Sequence, residues 1–427
     1  MKVTRAALLT LGALTVAASA LPTTATAEQN PPVGTVIDRA NVEKYKEFFG
    51  PAMIWSIERG VKINVGPYQK IEHPKPVQQA TEQYSGQVKL GADKIHVENY
   101  VAGLPFPAVT ADDPDKAIKH MFNYEAAVEA DDLDARNFDC DTGAVGKNGD
   151  PVRVERHFLI DHFRRLYFTG RLEIDPKPTM LPNRDSVRYK ESLYPLIEPF
   201  DLKGTGFTYN RYLDNAKQDD SWLYLPQLRR VRRLSSAQRS DALFGQDTDQ
   251  DSYGGYAGNI SWMDWKFLGE KTVLSSFHSD NLPVKWSEPS GDFMHADKWE
   301  PRENWVIEGI SKLPQYAYSK RVMYLDKESY FISYSDIYDT AGELWKMWVN
   351  NFTIRKKPRP EATYESEHER RFFPSITMID MQLEHATYCS LPSHRFPGEQ
   401  GWYINVGDKE GTVESQFELS AIIAAGR

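Results

Sequence analysis

The sequence predicts an α+β protein in which a large antiparallel sheet carries a few helices, most of them N-terminal. Three observations support this fold class. Apolar residues recur at helical spacing in two stretches of the first 135 residues. From about residue 150 they alternate with polar residues at the two-residue period of β-strands. Hydrophobic residues make up 41% and aromatic residues 12% of the 427-residue chain, which is enough for a substantial core.

The first 27 residues have the pattern of a secretory signal peptide. Lys2 and Arg5 are positive, residues 6–21 are apolar, and Ala-Thr-Ala at 25–27 fits the small-residue rule for cleavage. We expect a soluble mature chain that begins near Glu28; the alternative, a short membrane anchor, is disfavoured by the short apolar run. Cleavage removes two positive charges, so the formal net charge changes from −9 to −11. Nucleic-acid binding depends on neutralising phosphates and is disfavoured for an exported acidic protein.

The N-terminal helices are predicted from spacing and capping. The first predicted helix has apolar residues at helical spacing, namely Val42, Tyr45, Phe48 and Phe49. Gly50-Pro51 interrupts it, and a second short helix is predicted at residues 53–58. A third is predicted over residues 112–131, with Asp113 as the N-cap and Pro114 in the first turn.

The strands follow from residue 150 onwards. Residues 152–168 predict one long strand or a pair of strands. Residues 316–324 and 330–338 alternate in the same way, and Asp-Lys-Glu at 326–328 between them predicts a hairpin turn. Residues 344–349 continue the pattern with large side chains on both faces. Because one face of an antiparallel sheet is normally solvated, we expect one face to pack on helices and the other to line a cavity or a second layer.

The two cysteines, Cys140 and Cys389, leave two possibilities open. An exported chain meets an oxidising compartment, so they can form one disulfide that closes a very long loop. The alternative is two separate buried thiols, since spacing along the sequence does not report pairing geometry.

Residues 219–236, DDSWLYLPQLRRVRRLSS, predict a strand that ends at Pro226 and a second, arginine-rich strand after a tight turn. Side chains alternate between the faces of a strand, so both faces are cationic. The arginines are Arg229, Arg230, Arg232 and Arg233. One interpretation is an ion-pair network with the nearby acids, namely Asp219, Asp220, Asp247, Asp249 and Asp251. The other is recognition of an anionic head group or carboxylate by the same bidentate chemistry.

Metal and catalytic motifs are weak. The loop from Asp247 has Asp at the first, third and fifth positions of a calcium loop, but Ser252 and Gly258 replace its glycine and its glutamate. His157 and His162 are expected on opposite faces of a strand, so they do not predict a shared metal. We find no complete nucleophile-elbow, phosphate-loop or zinc-protease motif. The sequence therefore predicts no metal site, no cofactor and no enzymatic activity.

Six aromatic residues are candidates for the wall of a ligand cavity. Aromatic side chains line many apolar pockets, but on a sheet they are also ordinary core. The candidates are Trp222, Tyr224, Trp262, Trp265, Trp345 and Trp348.

The order of a Trp-x-Tyr-x-Pro strand, an arginine-rich strand and a Gly-x-Asp loop that ends in another Asp resembles the outer-membrane lipoprotein-sorting proteins of Gram-negative bacteria, the LolA/LolB-like superfamily. Other stretches are similar to a large uncharacterised branch of exported proteins, a domain of unknown function, in that superfamily. These stretches are NYVAGLPFP at 99–107, WMDWKFLGEK at 262–271, YSKRVMYLDKESY at 318–330 and YDTAGELWKMW at 338–348.

The resemblance implies an unclosed, strongly curved antiparallel half-barrel with helices covering or plugging its concave side. It implies a single domain over residues 28–427 with a helical N-terminal region extending to about residue 135. It also implies a periplasmic location and the carriage of lipid-like molecules. Members of the branch tend to be associated with transporters of the resistance-nodulation-division type, which implies such a transporter and an outer-membrane protein as partners.

These expectations combine into a periplasmic carrier for a hydrophobic or lipid-like molecule that works with a membrane transporter. Two alternatives remain open at this point. The first is an adaptor that joins envelope transport proteins without carrying cargo. The second is a hydrolase or isomerase that acts on a lipid, which the missing nucleophile motifs disfavour.

Overall fold

One large β-sheet organises the molecule. The structure is a computed structural model that describes residues 30–127, 130–147, 150–407 and 411–427. The predicted signal segment at residues 1–27 lies outside the described residues. Among the residues that are described, no helix is both long enough and apolar enough to cross a membrane.

The described residues contain nineteen strands. Their bounds are β1 (Val36–Ile37), β2 (Ile63–Val65), β3 (Lys89–Leu90), β4 (Val97–Glu98), β5 (Asp132–Ala144), β6 (Arg153–Tyr167), β7 (Val187–Leu193), β8 (Leu196–Glu198), β9 (Gly206–Tyr212), β10 (Asp220–Leu225), β11 (Arg230–Leu234), β12 (Met263–Ser275), β13 (Lys298–Ser311), β14 (Lys320–Asp326), β15 (Ile332–Tyr338), β16 (Leu344–Arg355), β17 (Arg370–Asp380), β18 (His385–Ser390) and β19 (Trp402–Ile404).

The main sheet is antiparallel and runs in the order β12-β13-β14-β15-β16-β17-β18-β5-β6-β7-β9-β10-β11. Its two ends, β12 and β11, do not pair with each other within the described chain, so the sheet is not closed. Four short strands, β8, β19, β2 and β1, extend this sheet. Strand β8 pairs with β6 and β19 pairs with β5. Strand β2 pairs parallel to β13, and β1 pairs with β2. The strands β3 and β4 form a separate ribbon. The predicted fold class, a large unclosed antiparallel sheet with few helices, is confirmed.

Four α-helices are present among the described residues, namely α1 (Pro51–Glu58), α2 (Lys75–Tyr84), α3 (Lys116–Ala126) and α4 (Leu419–Ala425). Short 3-10 helices lie at Val42–Phe48, Ser85–Gln87, Phe200–Leu202, Pro226–Leu228, Ser236–Ser240, Gln250–Gly255, Ile260–Trp262 and Glu414–Phe417. The first predicted helix is therefore a 3-10 helix, the second is α1, and α2 was not predicted.

Helix α3 is shorter than the predicted helix over residues 112–131. A carboxylate oxygen of Asp113 accepts a hydrogen bond from the backbone N–H of Asp115, which holds this segment in a turn. The helix begins only after Asp115, which occupies the N-cap position. Strand β5 then starts at Asp132.

The predicted hairpin of residues 316–338 is formed by β14 and β15, which pair antiparallel around a turn at residues 327–329. The stretch 152–168 forms one strand, β6, rather than two. Its alternation changes phase near Asp161, where the partner of β6 changes from β8 to β7. Phe158 and Ile160 therefore pack in the same core cluster as Phe163 and Tyr167, although their sequence parity differs.

Contacts of Tyr253 show which face of the sheet is concave. Its ring centroid lies 6.2 Å from that of Phe163 on β6 and 5.9 Å from that of Trp348 on β16. In a flat sheet, strands with three others between them would lie about 19 Å apart, at about 4.8 Å per strand. One ring reaches both because the sheet curls around it.

The two faces of the sheet bury different parts of the chain. On β16, Trp348 belongs to the concave core, while Met347 and Val349 belong to a second core on the convex face. Helix α3 packs on the concave side, as predicted, through residues that include Met121. Helix α1 packs on the convex side through residues that include Met53.

A disulfide joins Cys140 on β5 to Cys389 on β18. The two residues are register partners, with Cα atoms 4.0 Å apart, and they are separated by 249 positions in the sequence. The bond therefore links neighbouring strands in the centre of the sheet and closes a very long loop.

Candidate ligand cavity

Residues 246–260, which we call the insert loop, pack on the concave side of the sheet. Most of this loop is buried, including Asp247, Asp249 and Asp251. Gly254 and Gly255 have positive φ angles of 67° and 103°, which let the chain reverse inside the half-barrel. A Cβ atom on Gly255 would lie 2.5 Å from Cγ2 of Ile332, so the loop approaches β15 too closely for any larger residue.

Two of the buried carboxylates hold the insert loop beneath β14 and the segment before it. Asp249 accepts hydrogen bonds from the hydroxyls of Tyr318 (2.7 Å) and Ser252 (2.5 Å), and lies 3.7 Å from Arg321. Burial raises the pKa of Asp249, and the charge of Arg321 counteracts this effect. Asp251 accepts a hydrogen bond from the Tyr316 hydroxyl at 2.8 Å.

A buried ion-pair chain extends from Asp251 towards β9 and β10. Arg239 donates from Nε to Asp251 at 2.6 Å and lies 3.7 Å from Asp219. Arg211 binds the same Asp219 through two nitrogens, at 2.7 and 3.1 Å. All four side chains are at most 2% exposed, so the pairing stabilises charges that burial alone would strongly disfavour.

Asp247 is held from the other side of the insert loop. Its carboxylate lies 2.8 Å from Nδ1 of His385 and accepts a hydrogen bond from the Thr387 hydroxyl, also at 2.8 Å. The hydrogen bond to Asp247 raises the pKa of His385. Lys346 donates to the backbone carbonyl of Asp247 at 2.9 Å. The loop is thus tied to β16 and β18 as well as to β14.

The arginines of β11 do not share in this network. Arg229, Arg230, Arg232 and Arg233 are exposed, because β11 is the last strand of the sheet. Among the described ion pairs, one joins these arginines to an expected acid, namely the pair between Arg233 and Asp220. Within the described chain, the rest of the expected network does not form. Asp219, Asp249 and Asp251 are buried and pair with arginines from other parts of the sequence, namely Arg211, Arg321 and Arg239.

Beside the insert loop lies a first cavity of about 90 Å³. Its wall combines residues of β5, β6, β16 and β17 with the disulfide and the insert loop. The apolar side chains in this wall include Phe138, Ile160, Phe163, Trp348, Phe373 and Ile376. The cavity is therefore a largely apolar space inside the curled sheet, of the kind that holds small hydrophobic groups.

A second cavity of about 120 Å³ lies against the first. The two share the wall residues Phe163, Tyr253, Gly254, Arg371 and Phe373. Tyr253 of the insert loop is thus in contact with both spaces. The wall of the second cavity is more polar and also includes the buried Arg211, the partly buried Arg165 and several tyrosines.

Arg371 on β17 is a cation in the wall of both cavities. Its guanidinium carbon lies 3.6 Å from the ring centroid of Phe331 and 4.9 Å from that of Phe352. Burial lowers the pKa of Arg371 to about 9, and the neighbouring Tyr124 hydroxyl offsets part of this effect. Arg371 also borders a small gap near Glu72 and His73, and the adjacent Arg370 lines an open groove of about 710 Å³. The groove and the gap share Arg370 in their walls, and the gap and the second cavity share Arg371.

Of the six predicted aromatic residues, Trp348 lines the first cavity. The others have structural contacts elsewhere. Tyr224 packs with Ile422 of α4, and Trp262 is buried beside Arg211 and Arg239. The Nε1 atoms of Trp265 and Trp345 donate to the Ile260 carbonyl and to Asp380, while Trp222 is half-buried on β10 opposite Arg233.

Sequence reasoning missed the residues that define the cavities. Arg371 is one of two arginines before the apolar run of β17, a pattern that also fits an ordinary strand start. Ile160 and Phe163 share a wall because β6 changes phase, which alternation does not reveal. The glycine pair 254–255 is the one local feature of this loop that favours a sharp turn, and the structure places that turn inside the sheet.

His157 and His162 lie on the same, convex face, contrary to the expectation from strand spacing. The phase change near Asp161 is the cause. His157 lies between Asp139 and Asp141, at 2.9 and 2.8 Å, and its hydrogen bonds to them raise its pKa to about 9. His162 binds Asp134 instead, at 2.8 Å. Within the described ranges, no group of three or more His, Cys, Asp or Glu residues could hold a metal ion.

Comparison with known proteins gives one family and several relatives. A family described as "Protein of unknown function (DUF1329)" matches residues 36–408. The uncharacterized protein PA3922 of Pseudomonas aeruginosa is 23% identical over 327 residues, which are 73% of this chain and 67% of that protein.

Two solved structures are similar over most of their length. A domain from Vibrio parahaemolyticus, described as a candidate outer membrane lipoprotein-sorting protein, is 18% identical with a TM-score of 0.48; the match covers 72% of this chain and 99% of that one. A DUF1329 family protein from Desulfovibrio piger is 16% identical with a TM-score of 0.47, over 72% and 98% of the two chains.

Proposed function

The chain belongs to the DUF1329 family of proteins of unknown function, and from this premise we propose that it binds and carries a hydrophobic, lipid-like molecule in the cell envelope. The observation that carries the proposal is the pair of cavities inside the curled sheet, one of them lined mainly by apolar side chains, with Arg371 in the wall of both. Transfer of apolar surface from water into such a space is favourable by about 25 cal/mol per Å².

The cavities in this state suit the end of a chain rather than a whole lipid. An apolar cavity of about 150 Å³ admits benzene, and pockets for drug-sized ligands span about 300–1,000 Å³. The volumes here are about 90 and 120 Å³. We propose that movement of Tyr253 joins the two spaces, because this residue lines both, and Gly254, which follows it, gives the backbone freedom for that movement. Loading therefore involves movement of this part of the insert loop.

Arg371 supplies a place for a polar end of the cargo. Arg371 is half-buried, and the loss of water that lowers its pKa to about 9 destabilises the charged guanidinium. A carboxylate or phosphate beside it offsets that loss through charge-assisted hydrogen bonds. The cargo class that fits is an amphiphile with an apolar tail and an anionic head, such as a fatty acid.

The mechanism is passive, and release requires a partner. The partners we propose are a transporter of the resistance-nodulation-division type and an outer-membrane protein, and the location we propose is the periplasm. The signal-like segment at residues 1–27 and the sequence resemblance described above support these assignments. A partner that displaces the insert loop would empty the cavity into its own apolar surface.

One observation favours a second candidate, an adaptor that carries nothing. The insert loop packs inside the concave side and is fixed by buried ion pairs such as Arg239–Asp251. If that loop never moves, the remaining spaces are packing defects. The adaptor would then work through its outer surface.

Titration with a fluorescent fatty acid tests the proposal. The unmodified protein should bind it saturably at one molecule per chain. Ile160→Trp, which fills the first cavity, should weaken binding by about tenfold or more, because the indole would occupy the space that the apolar tail enters and a loss of about 1.4 kcal/mol already gives tenfold. Circular dichroism of each variant checks that the fold is retained.

Arg371→Met sharpens the test. It should weaken binding of the fatty acid but not of the matching fatty alcohol, because only the acid has a charge for Arg371 to meet. Arg232→Met on the exposed β11 is the matched control and should change neither. Absence of saturable binding, or equal binding by the protein and its Ile160→Trp variant, would favour the adaptor.

A further inference from the structure

The free edge of the sheet carries a cluster of exposed positive charges in an acidic protein. Strand β11 and the turn before it present Arg229, Arg230, Arg232 and Arg233, all exposed. We call these residues the basic edge. The chain as a whole has a net charge of −9, so this edge differs in sign from the average surface.

Most of this charge is not neutralised by neighbours. Arg233 pairs with Asp220. Arg229, Arg230 and Arg232 make no ion pair with any residue that the structure describes. Asp201, the carboxylate on the neighbouring turn, is held by Arg156 instead. Three guanidinium groups are therefore available to an external anion.

Two exposed apolar side chains lie on the turns beside the basic edge. Phe200 is 90% exposed on the 3-10 turn after β8, and Leu228 is 59% exposed on the 3-10 turn that leads into β11. The two turns are in contact, because the Gln227 side chain donates a hydrogen bond to the backbone carbonyl of Asp201. Lys203, also exposed, adds a further positive charge to the first turn.

From this juxtaposition we propose that the two turns and the basic edge form a docking site for the surface of an anionic phospholipid bilayer. Arginines near such a surface are attracted by the negative lipid phosphates, and exposed Phe and Leu side chains enter the boundary between head groups and acyl chains. Because the rest of the protein is acidic, the attraction orients the molecule with this edge towards the membrane. The proposal does not depend on the cargo of the interior cavities.

A protein partner that adds a strand to β11 is the competing explanation, and the structure disfavours it. The strand has five residues, and arginines project from both of its faces. Charged side chains on short edge strands oppose pairing with another chain. Phe200 and Leu228 also protrude from turns, where they can enter a lipid surface without a shaped partner.

Vesicle co-sedimentation tests the proposal with the full mature chain. The vesicles are phosphatidylcholine alone and an equimolar mixture of phosphatidylcholine and phosphatidylglycerol. We expect binding to the mixed vesicles alone, with an affinity that falls as salt is added. Since a basic residue near the surface contributes about fivefold to partitioning, Arg230→Gln/Arg232→Gln should weaken binding by about 25-fold.

Phe200→Ser/Leu228→Ser should weaken binding while leaving its salt dependence unchanged, because it removes apolar contact and no charge. Two control variants change residues of the same kind elsewhere. Lys62→Gln/Lys89→Gln removes two exposed positive charges from the N-terminal region, and Leu383→Ser removes an apolar side chain that is 73% exposed on the turn between β17 and β18. Neither should alter binding.

Three results would overturn the proposal. The first is no binding of the unmodified protein to the mixed vesicles. The second is equal binding to both vesicle types. The third is loss of binding in the control variants to the same extent as in the variants of the basic edge. Capture of an acidic protein through β11 without any vesicle binding would assign the edge to a protein partner instead.

Discussion

Two groups of arginines in this protein have opposite surroundings. Arg211, Arg239 and Arg321 are isolated in the sequence, at most 2% exposed, and bound to the carboxylates that hold the insert loop. The arginines of β11 are adjacent in the sequence and exposed on the last strand of the sheet. The first group fixes the interior, and the second faces solvent.

This contrast shows that a cluster of charge along a sequence does not identify the charges that meet inside the fold. A buried arginine needs one well-placed carboxylate, which can come from any distance along the chain. An edge strand tolerates many charges because water solvates them. The two groups should therefore respond very differently to substitution, which the following experiments measure.

Removal of one buried arginine should have the largest effect. Arg239→Met leaves Asp251 and Asp219 without a cation that both contact, and breaking a buried pair in this way costs about 3–5 kcal/mol. Urea unfolding of the variant and the unmodified protein measures the loss in free energy of unfolding. A loss below about 1 kcal/mol would mean that the insert loop is not held by this pair.

Removal of the disulfide measures how much a covalent link contributes to the free energy of unfolding, compared with the buried ion pairs. Cys140→Ala/Cys389→Ala removes a bond that closes a loop of 249 residues, and such bonds contribute about 2–4 kcal/mol, mainly by restricting the unfolded chain. Urea unfolding should show that loss, and added reductant should lower the stability of the unmodified protein alone. An effect of reductant on the variant as well would contradict the assignment to this bond.

A buried carboxyl group on the convex side, that of Asp336, should make the stability of the folded protein depend on pH. Asp336 lies within 3.1 Å of the Tyr324 hydroxyl, and burial raises its pKa to about 7 from an ordinary value of 3.8. The folded protein therefore holds this proton more tightly than the unfolded chain does. The resulting stabilisation is fully present below about pH 4 and is lost as the pH rises to about 7.

Asp336→Asn should remove this pH dependence. The difference in unfolding free energy between the protein and the variant should shift in favour of the variant as the pH increases from about 5 to about 8. Asp264→Asn, at a side chain that is 74% exposed on β12, is the matched control and should leave the profile unchanged. A constant difference across this range would contradict the raised pKa.

The exposed arginines should give the smallest effect on stability. Arg232→Met, the exposed counterpart of Arg239→Met, should change the free energy of unfolding by no more than about 0.5 kcal/mol. Thermal unfolding at low and high salt checks this directly. A loss comparable to that of Arg239→Met would show that β11 has structural partners and would remove the distinction between the two groups.

Much of the sheet could be predicted because its signals are local. The β14–β15 hairpin followed from alternation on both sides of Asp326–Glu328, and the strand pair β10–β11 followed from Pro226 between two short runs. The break in the alternation of β6 could not be predicted, since it depends on which strand lies beside Asp161.

The interior was harder to predict because its contacts are long-range. The acidic loop was recognised as a partner for arginines, but Asp249 pairs with the distant Arg321 and Asp251 with Arg239, rather than with the β11 cluster. Trp348 was recognised as a possible wall residue from its place on a strand with aromatics on both faces. Arg371 has no local signal, since its role follows from the curvature that places β17 opposite the insert loop.

Native mass spectrometry tests the central claim, that the curled sheet holds an amphiphilic cargo, most directly. The protein should be expressed with its signal-like segment, purified from the periplasm without detergent, and compared before and after extraction with organic solvent. The account predicts one apolar molecule with an anionic end per chain, lost on extraction and depleted in the Ile160→Trp variant. An empty protein that also fails to take up a fluorescent fatty acid would contradict the account.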